Sequence, residues 1–276
     1  MANLNPSDAA RTVDAYSPAE VTEKVLGLAV SKTALSPGRQ LPLTFLAGIY
    51  IGIGCIFSAL FFGETALPYA VQRFAGGAVF SVGLLLVLVA GAELFTGNTM
   101  IAAGALEGRI GWSAALGNWV RVWLGNLLGA LTLVALVYFS HVAETGNLAR
   151  GLLATAAAKT SAGWGAIFVK GILCNLLVCL GVWMGYAARS VVDKAFAVLL
   201  PVAAFVALGF EHCVANMFFL PLGWLLVQAG VSVDGIAVET INLAGILKNL
   251  SAATLGNIVA GASLALVYRA AYGKKR

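Results

Sequence analysis

Three polar side chains, two of them ionisable, crowd into Leu208 to Gly223, LGFEHCVANMFFLPLG, a segment that otherwise reads as one apolar run. Glu211, His212 and Asn216 fall within six residues. Ionisable groups at membrane depth are costly, and by default they mark a path for an ion or a proton. Two of them side by side predict a helix interrupted around something polar. A second stretch, GAELFTGN at 91–98, has the same character, with Glu93, Thr96 and Asn98 in apolar surroundings.

The elements that must hold these stretches are membrane helices. The chain of 276 residues is 60% hydrophobic and only 11% charged, with a mean hydropathy of +0.91. A soluble domain carries about 25% charged residues, so this composition excludes one. Its glycines are scattered through apolar runs, where membrane helices use them for close packing. The expected fold is an all-α polytopic membrane protein. Cys55, Cys174, Cys179 and Cys213 all lie in apolar segments without zinc-type or CxxC spacing, and read as buried small hydrophobes with no disulfide. The net charge of +5 is spread over the loops, with no dense basic patch for nucleic acid. No metal or cofactor motif is present.

Residues 1–40 read as a polar tail unlike a signal peptide, carrying Asp8, Arg11, Asp14, Glu20, Glu23 and Lys24. Within it, Ser17-Pro18 opens a short amphipathic helix with apolar Val21, Val25, Leu26, Leu28 and Ala29. A span needs about 20 apolar residues. The first runs from about Thr44 to Phe62. The second region, Tyr69 to Leu106, is too long for one span, and is expected to be a helix, an irregular stretch at Glu93 to Gly97 and a half-helix. Span three covers about Trp112 to Phe139, a polar segment His141 to Gly163 follows, and span four covers Trp164 to Ala188. The fifth, broken at Glu211-His212, ends near Ala229, and the sixth covers about Leu250 to Tyr272. This defines a channel domain at 41–272, with a basic tail at 273–276. Twelve basic residues (Arg11, Lys24, Lys32, Arg39, Arg109, Arg121, Arg189, Lys194, Arg269, Lys274, Lys275 and Arg276) fall on the side of the termini. Four (Arg73, Arg150, Lys159 and Lys248) fall on the other. The positive-inside rule then predicts a cytoplasmic (inner) membrane protein with both termini cytoplasmic.

The two halves, about 44–140 and 164–272, repeat three signatures in order. Phe45 to Ile49 answers Phe168 to Ile172, Gly91-Ala-Glu93 with Asn98 answers Gly209-Phe-Glu211 with Asn216, and Asn118 with Asn126 answers Asn249 with Asn257. Their offsets are 123, 118 and 131 residues. Three spans per half is an odd number, so the halves must lie inverted, with paired broken helices and a transport site between them. Irregular backbone at that depth survives where it is buried or lines a cavity. The positive ends of two half-helices favour an anion.

AELFTGNTM at 92–100, KGILCNLLVCLGVWM at 170–184, GFEHCVANMFFLP at 209–221 and TLGN at 254–257 resemble the formate/nitrite transporter family. The likeness covers roughly residues 25–270. It implies an aquaporin-like protomer of six helices and a homopentamer with one pore per protomer. It also implies passage of small monovalent anions such as formate, nitrite or hydrosulfide, with protons. Carried over by motif, His212 is the pore histidine, Thr96 the threonine of the loop in broken helix two, Lys159 the vestibule lysine of an extramembrane loop, and Asn175 the asparagine of span four. The family's apolar constrictions fall on Phe80, Leu84, Leu94, Val178 and Phe205. Glu93, Glu211, Asn98, Asn216 and Asn257 match the residues at the helix breaks.

The chemistry expected of His212 follows from desolvation. An anion crosses an apolar slit at far greater cost than its neutral acid. An imidazolium near pH 6.5 is a poor donor to a carboxylate near pH 4, by about 2.5 units or roughly 3.4 kcal/mol in water. A dry pore penalises the ion pair more than the neutral pair, which narrows that gap. His212 is therefore expected to share a proton with the anion and couple flux to pH. Thr96 is either a helix N-cap or an anion contact, and Lys159 either a solvated charge or an anion attractor. Asn175 either bonds neighbouring helices or, as its alignment with Gly52 favours, contacts Lys159 or the anion. Glu93 and Glu211 are expected to accept backbone N–H groups freed at the breaks, because bare carboxylates would repel the anion. Lys170 is expected to snorkel outward, with no part in transport.

A water or glycerol channel of aquaporin type would need paired Asn-Pro-Ala boxes, and the only Asn-Pro is Asn5-Pro6 in the tail. A membrane enzyme would need a cluster of acids, histidines or a cofactor motif, and none is present. Among anions, NMFFLPLG and DKAF are formate-channel-like, whereas AELFTGNTM and FVKGILCN are closer to the nitrite branch. Formate is the narrow preference.

Overall fold

The computed structural model describes residues 14–273. The expectations resting on Asp8, Arg11, Lys274, Lys275 and Arg276 lie outside the described residues. Among those described, all regular structure is helical. Five helices are long and apolar enough to cross a membrane, and a sixth, at Cys213–Gln228, is apolar but shorter. The outer flank of one of them carries exposed Leu116, Val120, Leu124, Leu128 and Leu131 at helical spacing, a face made for lipid or for another subunit and not for water. The chain is a membrane protein.

Helix α1 (Pro18–Thr33) begins as its sequence directs, with a Ser17–Glu20 capping box and Pro18 at the first position. Its stripe of Val21, Val25, Leu26 and Ala29 is buried. Arg109 holds it in place with two bonds to Glu23, of 2.6 and 2.9 Å. That carboxylate raises the guanidinium above its ordinary value. Helix α2 (Pro37–Phe62) starts earlier than the apolar run, because Pro37 at the first position opens the helix through the polar Gly38, Arg39 and Gln40.

Helix α3 (Tyr69–Ala90) stops at Gly91, and the chain restarts as α4 (Phe95–Asn98), a 3₁₀ turn (Thr99–Ile101) and α5 (Ala102–Leu106). Helix α6 (Trp112–Phe139) follows. The segment read as merely polar contains α7 (Gly146–Ser161), which buries Ala149, Leu152, Leu153, Ala156 and Thr160. Those positions recur every three or four residues, a helical period that short polar side chains disguise.

Helix α8 (Trp164–Ala187) leads to α9 (Val191–Ala207), which stops before Gly209. Helix α10 (Cys213–Gln228) resumes after that break, and α11 (Leu243–Tyr272) completes the bundle. The main pairings are α8 with α11, α2 with α3, α2 with α6, and the two interrupted helices α3 and α9 with one another. Small residues set the closest approaches. A Cβ at Gly256 would lie 2.3 Å from the Phe168 carbonyl, so only glycine lets α11 come so near α8.

Candidate functional site

Both interruptions are built by the same local event. Gly91 and Gly209 end their helices at φ +84° and +69°, a region open to glycine. Ala92 and Phe210 each bond back to the carbonyl five residues earlier, on Val87 and Phe205. The chain then runs extended, and the backbone of Glu93 donates to Leu43 while that of Glu211 donates to Lys170.

Two residues further on, the backbone N–H at each break is taken by a buried amide from a distant helix. Phe95 donates to Asn126 Oδ1 and Cys213 to Asn257 Oδ1, both at 2.9 Å. The Nδ2 of Asn126 closes on the carbonyls of Thr44 and Glu93, and that of Asn257 on Gly171 and Glu211. This corrects the expectation that Glu93 and Glu211 satisfy the freed backbone. An amide can serve N–H and C=O at once, whereas a carboxylate only accepts.

The carboxylates instead anchor cations. Glu93 takes Lys32 Nζ at 2.6 Å and Asn98 Nδ2 at 2.7 Å, and Asn98 bonds on to Asn118, which reaches the Lys32 carbonyl. Glu211 takes Lys159 Nζ at 2.9 Å, Asn216 at 2.7 Å and Asn249 at 3.2 Å through one oxygen, and Asn249 reaches the Lys159 carbonyl. Lys159 is thus on the last turn of α7 and not in a loop, and its side chain is 13% exposed against a 2% exposed carboxylate. Lys32 and the asparagines 118 and 249 complete networks whose members lie up to 90 residues apart.

The matched bonds also correct one alignment. Leu43 answers Lys170 and Thr44 answers Gly171, an offset of 127 and not 123. Glycines recur one turn apart at 48 and 52, so the sequence match locked on to the wrong turn. Asn175 therefore answers Gly48. A Cβ on Gly48 would sit 2.1 Å from the Asn126 carbonyl, and Asn175 Nδ2 bonds the corresponding Asn257 carbonyl at 2.6 Å. Asn175 also donates to the Thr96 carbonyl and Thr99 Oγ1, and its buried Oδ1 has no partner. The expected contact with Lys159 is not among its bonds.

His212 is the N-cap of α10, its Nδ1 accepting the Ala215 N–H at 3.1 Å. Its Nε2 faces Thr96 Oγ1 at 3.2 Å. Because Nδ1 holds a lone pair towards a backbone donor, the neutral ring carries its hydrogen on Nε2 and donates to Thr96. Thr96 is in the first turn of α4, not in the loop before it, and Leu94 holds the N-cap position there. The N-cap alternative for Thr96 is thereby excluded. Phe205 stacks on the imidazole, with centroids 5.8 Å apart, and Phe80 meets Phe205 edge-on at 5.7 Å. Phe80, Leu84, Leu94, Val178 and Phe205 are all buried.

Two cavities approach this centre from opposite sides. One, of about 290 Å³, is lined by Phe80, Phe205, Glu211 and His212, and by Arg73, Lys159 and Lys170. The other, of about 280 Å³, is lined by Lys32, Glu93, Leu94, Gly97 and Asn98, with Val182 and Tyr186. Lys170 thus lines the first cavity, where its carbonyl accepts the Glu211 N–H. Sequence reading also passed over Arg73, whose guanidinium donates to the carbonyls of Ala207 and Val206 and lies over the Phe62 ring.

The formate/nitrite transporter family model matches residues 19–271. The chain belongs to that family. It is 38% identical to "Formate channel FocA" of Haemophilus influenzae, over 90% of this chain and 91% of that one. Its fold is similar to a solved structure described as an "FNT family ion channel" (TM-score 0.81, 33% identity, 91% and 98% of the two chains). It is also similar to a "Pentameric formate channel with formate bound" (TM-score 0.75, 34% identity, 86% and 98%). The family is one of transporters and channels, and the chain is not an enzyme.

Proposed function

We propose that this protein is a channel for small monovalent anions, formate foremost, working as a homopentamer with a pore in each protomer. Its architecture in this reading is six spans: the five long helices and the interrupted α9–α10 pair. They form two inverted three-helix repeats, with both termini cytoplasmic in a cytoplasmic (inner) membrane. Each repeat also includes its short amphipathic helix, α1 in one half and α7 in the other, since Lys32 and Lys159 bind the two break carboxylates alike. The observation that carries this reading is the Thr96–His212 pair, buried between one cavity that reaches His212, Phe80 and Phe205 and another that reaches Leu94 and Gly97. The relatives named for formate support the choice of anion.

The site acts as a small donor group in a dry slit. An anion entering between Thr96 and His212 takes the Nε2–H and hydroxyl hydrogen bonds that the two residues now share. A charge-assisted bond of this kind is worth about 1.5–3 kcal/mol, well short of replacing full hydration. Crossing the apolar collar therefore favours the neutral acid. A proton that travels with the anion must come from imidazolium, since a neutral ring cannot spare its Nε2 hydrogen. Forming imidazolium requires Nδ1 to release the Ala215 N–H. Proton sharing is thereby coupled to the N-cap of α10, a route by which pH acts on flux.

The test is flux into liposomes of formate, nitrite, hydrosulfide and acetate at pH 5 and 7.5. Formate is expected to lead, with faster entry at pH 5. Nitrite well ahead of formate at both pH values would make nitrite the substrate. His212→Phe with an unchanged rate and pH profile would end the proton-sharing role.

A further inference from the structure

We propose that Lys170 is the residue that captures the incoming anion in the cavity on the α7 side, before it reaches His212. The inference rests on the reading that the chain conducts small anions. The three cations on that cavity are not equivalent. Lys159 is committed to Glu211 at 2.9 Å. Arg73 spends its Nε and Nη2 on the carbonyls at the end of α9, at 3.0 and 2.9 Å, with Phe62 against its face. Lys170 lines the same cavity and is half-buried; its carbonyl accepts the Glu211 N–H, but its ammonium makes no hydrogen bond or ion pair among the described residues. The cavity it borders holds an open space of about 290 Å³.

The charges on the two cavities make the point sharper. Arg73, Lys159 and Lys170 against Glu211 leave +2 on this side, counting three positive and one negative. Lys32 against Glu93 leaves zero on the other, one of each. The backbone match places Leu43 where the second half has Lys170. The excess charge is therefore local to one mouth, and an uncommitted ammonium in a low-dielectric cleft concentrates anions there. Removing it leaves +1, with Lys159 pinned to Glu211 and the Arg73 guanidinium spent on backbone carbonyls.

The test uses the full chain in proteoliposomes, with formate influx measured for wild type, Lys170→Gln, Lys170→Glu and Lys170→Arg. Two ionic strengths are compared, about 0.02 M and 0.3 M, where screening lengths are about 20 and 6 Å. At low salt Lys170→Gln is expected to be about threefold slower and Lys170→Glu about tenfold slower, with Lys170→Arg close to wild type. At high salt the differences shrink below about 1.5-fold. Lys170→Gln matching wild type at low salt, or slowed equally at both salts, would overturn the proposal. Wild type with no formate influx above empty liposomes would instead overturn the anion-channel reading on which it rests.

Discussion

The break at Glu93 and the break at Glu211 share one scaffold and differ in side chains that bear on chemistry. Each has a left-handed glycine, an extended run of three residues, an asparagine from a distant helix across the gap, and a lysine on the carboxylate. Against this sameness, Leu94 stands where the other half has His212, Gly48 where it has Asn175, and Leu43 where it has Lys170. What recurs holds irregular backbone open in the middle of a bundle. In the proposed channel, what does not recur includes an imidazole at the centre and an ammonium at one mouth, so that function would sit in the asymmetry between two similar halves.

The comparison can be broken most severely at the amides. Asn126→Leu and Asn257→Leu each strand one backbone N–H and leave two carbonyls short of a donor, at about 1–3 kcal/mol per group. Both variants are expected to lose about 3–9 kcal/mol, read as large and similar drops in thermal unfolding temperature in detergent. A strong effect at only one site would mean that the two breaks are not built alike.

Next come the lysines. Lys32→Met and Lys159→Met each leave a buried carboxylate without its cation, an expected loss of about 3–5 kcal/mol. Adding Glu93→Gln or Glu211→Gln to the matching variant should recover part of it, since the remaining amide network can still be satisfied. Failure of the second change to rescue either stability would show that the lysines act through something other than the ion pair.

The centre is sharpened by His212→Asn. Asparagine is a good N-cap, so stability should stay within about 1 kcal/mol of wild type, while formate flux falls about tenfold and its pH dependence flattens through loss of the Nε2 donor. An intact pH profile in this variant would assign the pH response elsewhere. The smallest expected effect lies outside the pore. Ser17→Ala removes the capping box of α1 and should cost about 1 kcal/mol, with flux unchanged if α1 serves only to present Lys32.

Much of the scaffold was legible in the residues. Apolar runs of span length, the paired Gly-x-Glu signals and the asparagines at 98, 118, 126, 216, 249 and 257 all pointed to two interrupted helices. Helix α7 was missed because its buried face is mostly alanine and leucine among polar neighbours, at a period that a hydropathy scan blurs. The pairing of α2 with α8 was off by one turn, because a glycine repeats four residues on and local sequence cannot choose between the two. The roles of Glu93 and Glu211 were misread for a different reason. A carboxylate near a broken helix has an evident local task, and only the approach of Lys32 and Lys159 reveals the other.

By itself, then, the sequence determined the helical class, the sites of both breaks and the residue types gathered there, because these depend on neighbours a few positions apart. Tertiary structure decided which donor meets which acceptor, as with Asn126 to Phe95 over 31 residues and Asn257 to Gly171 over 86. It also decided which of three cations is left free. Those outcomes depend on how close two helices come, a quantity that packing fixes to a fraction of an ångström and that no local pattern records.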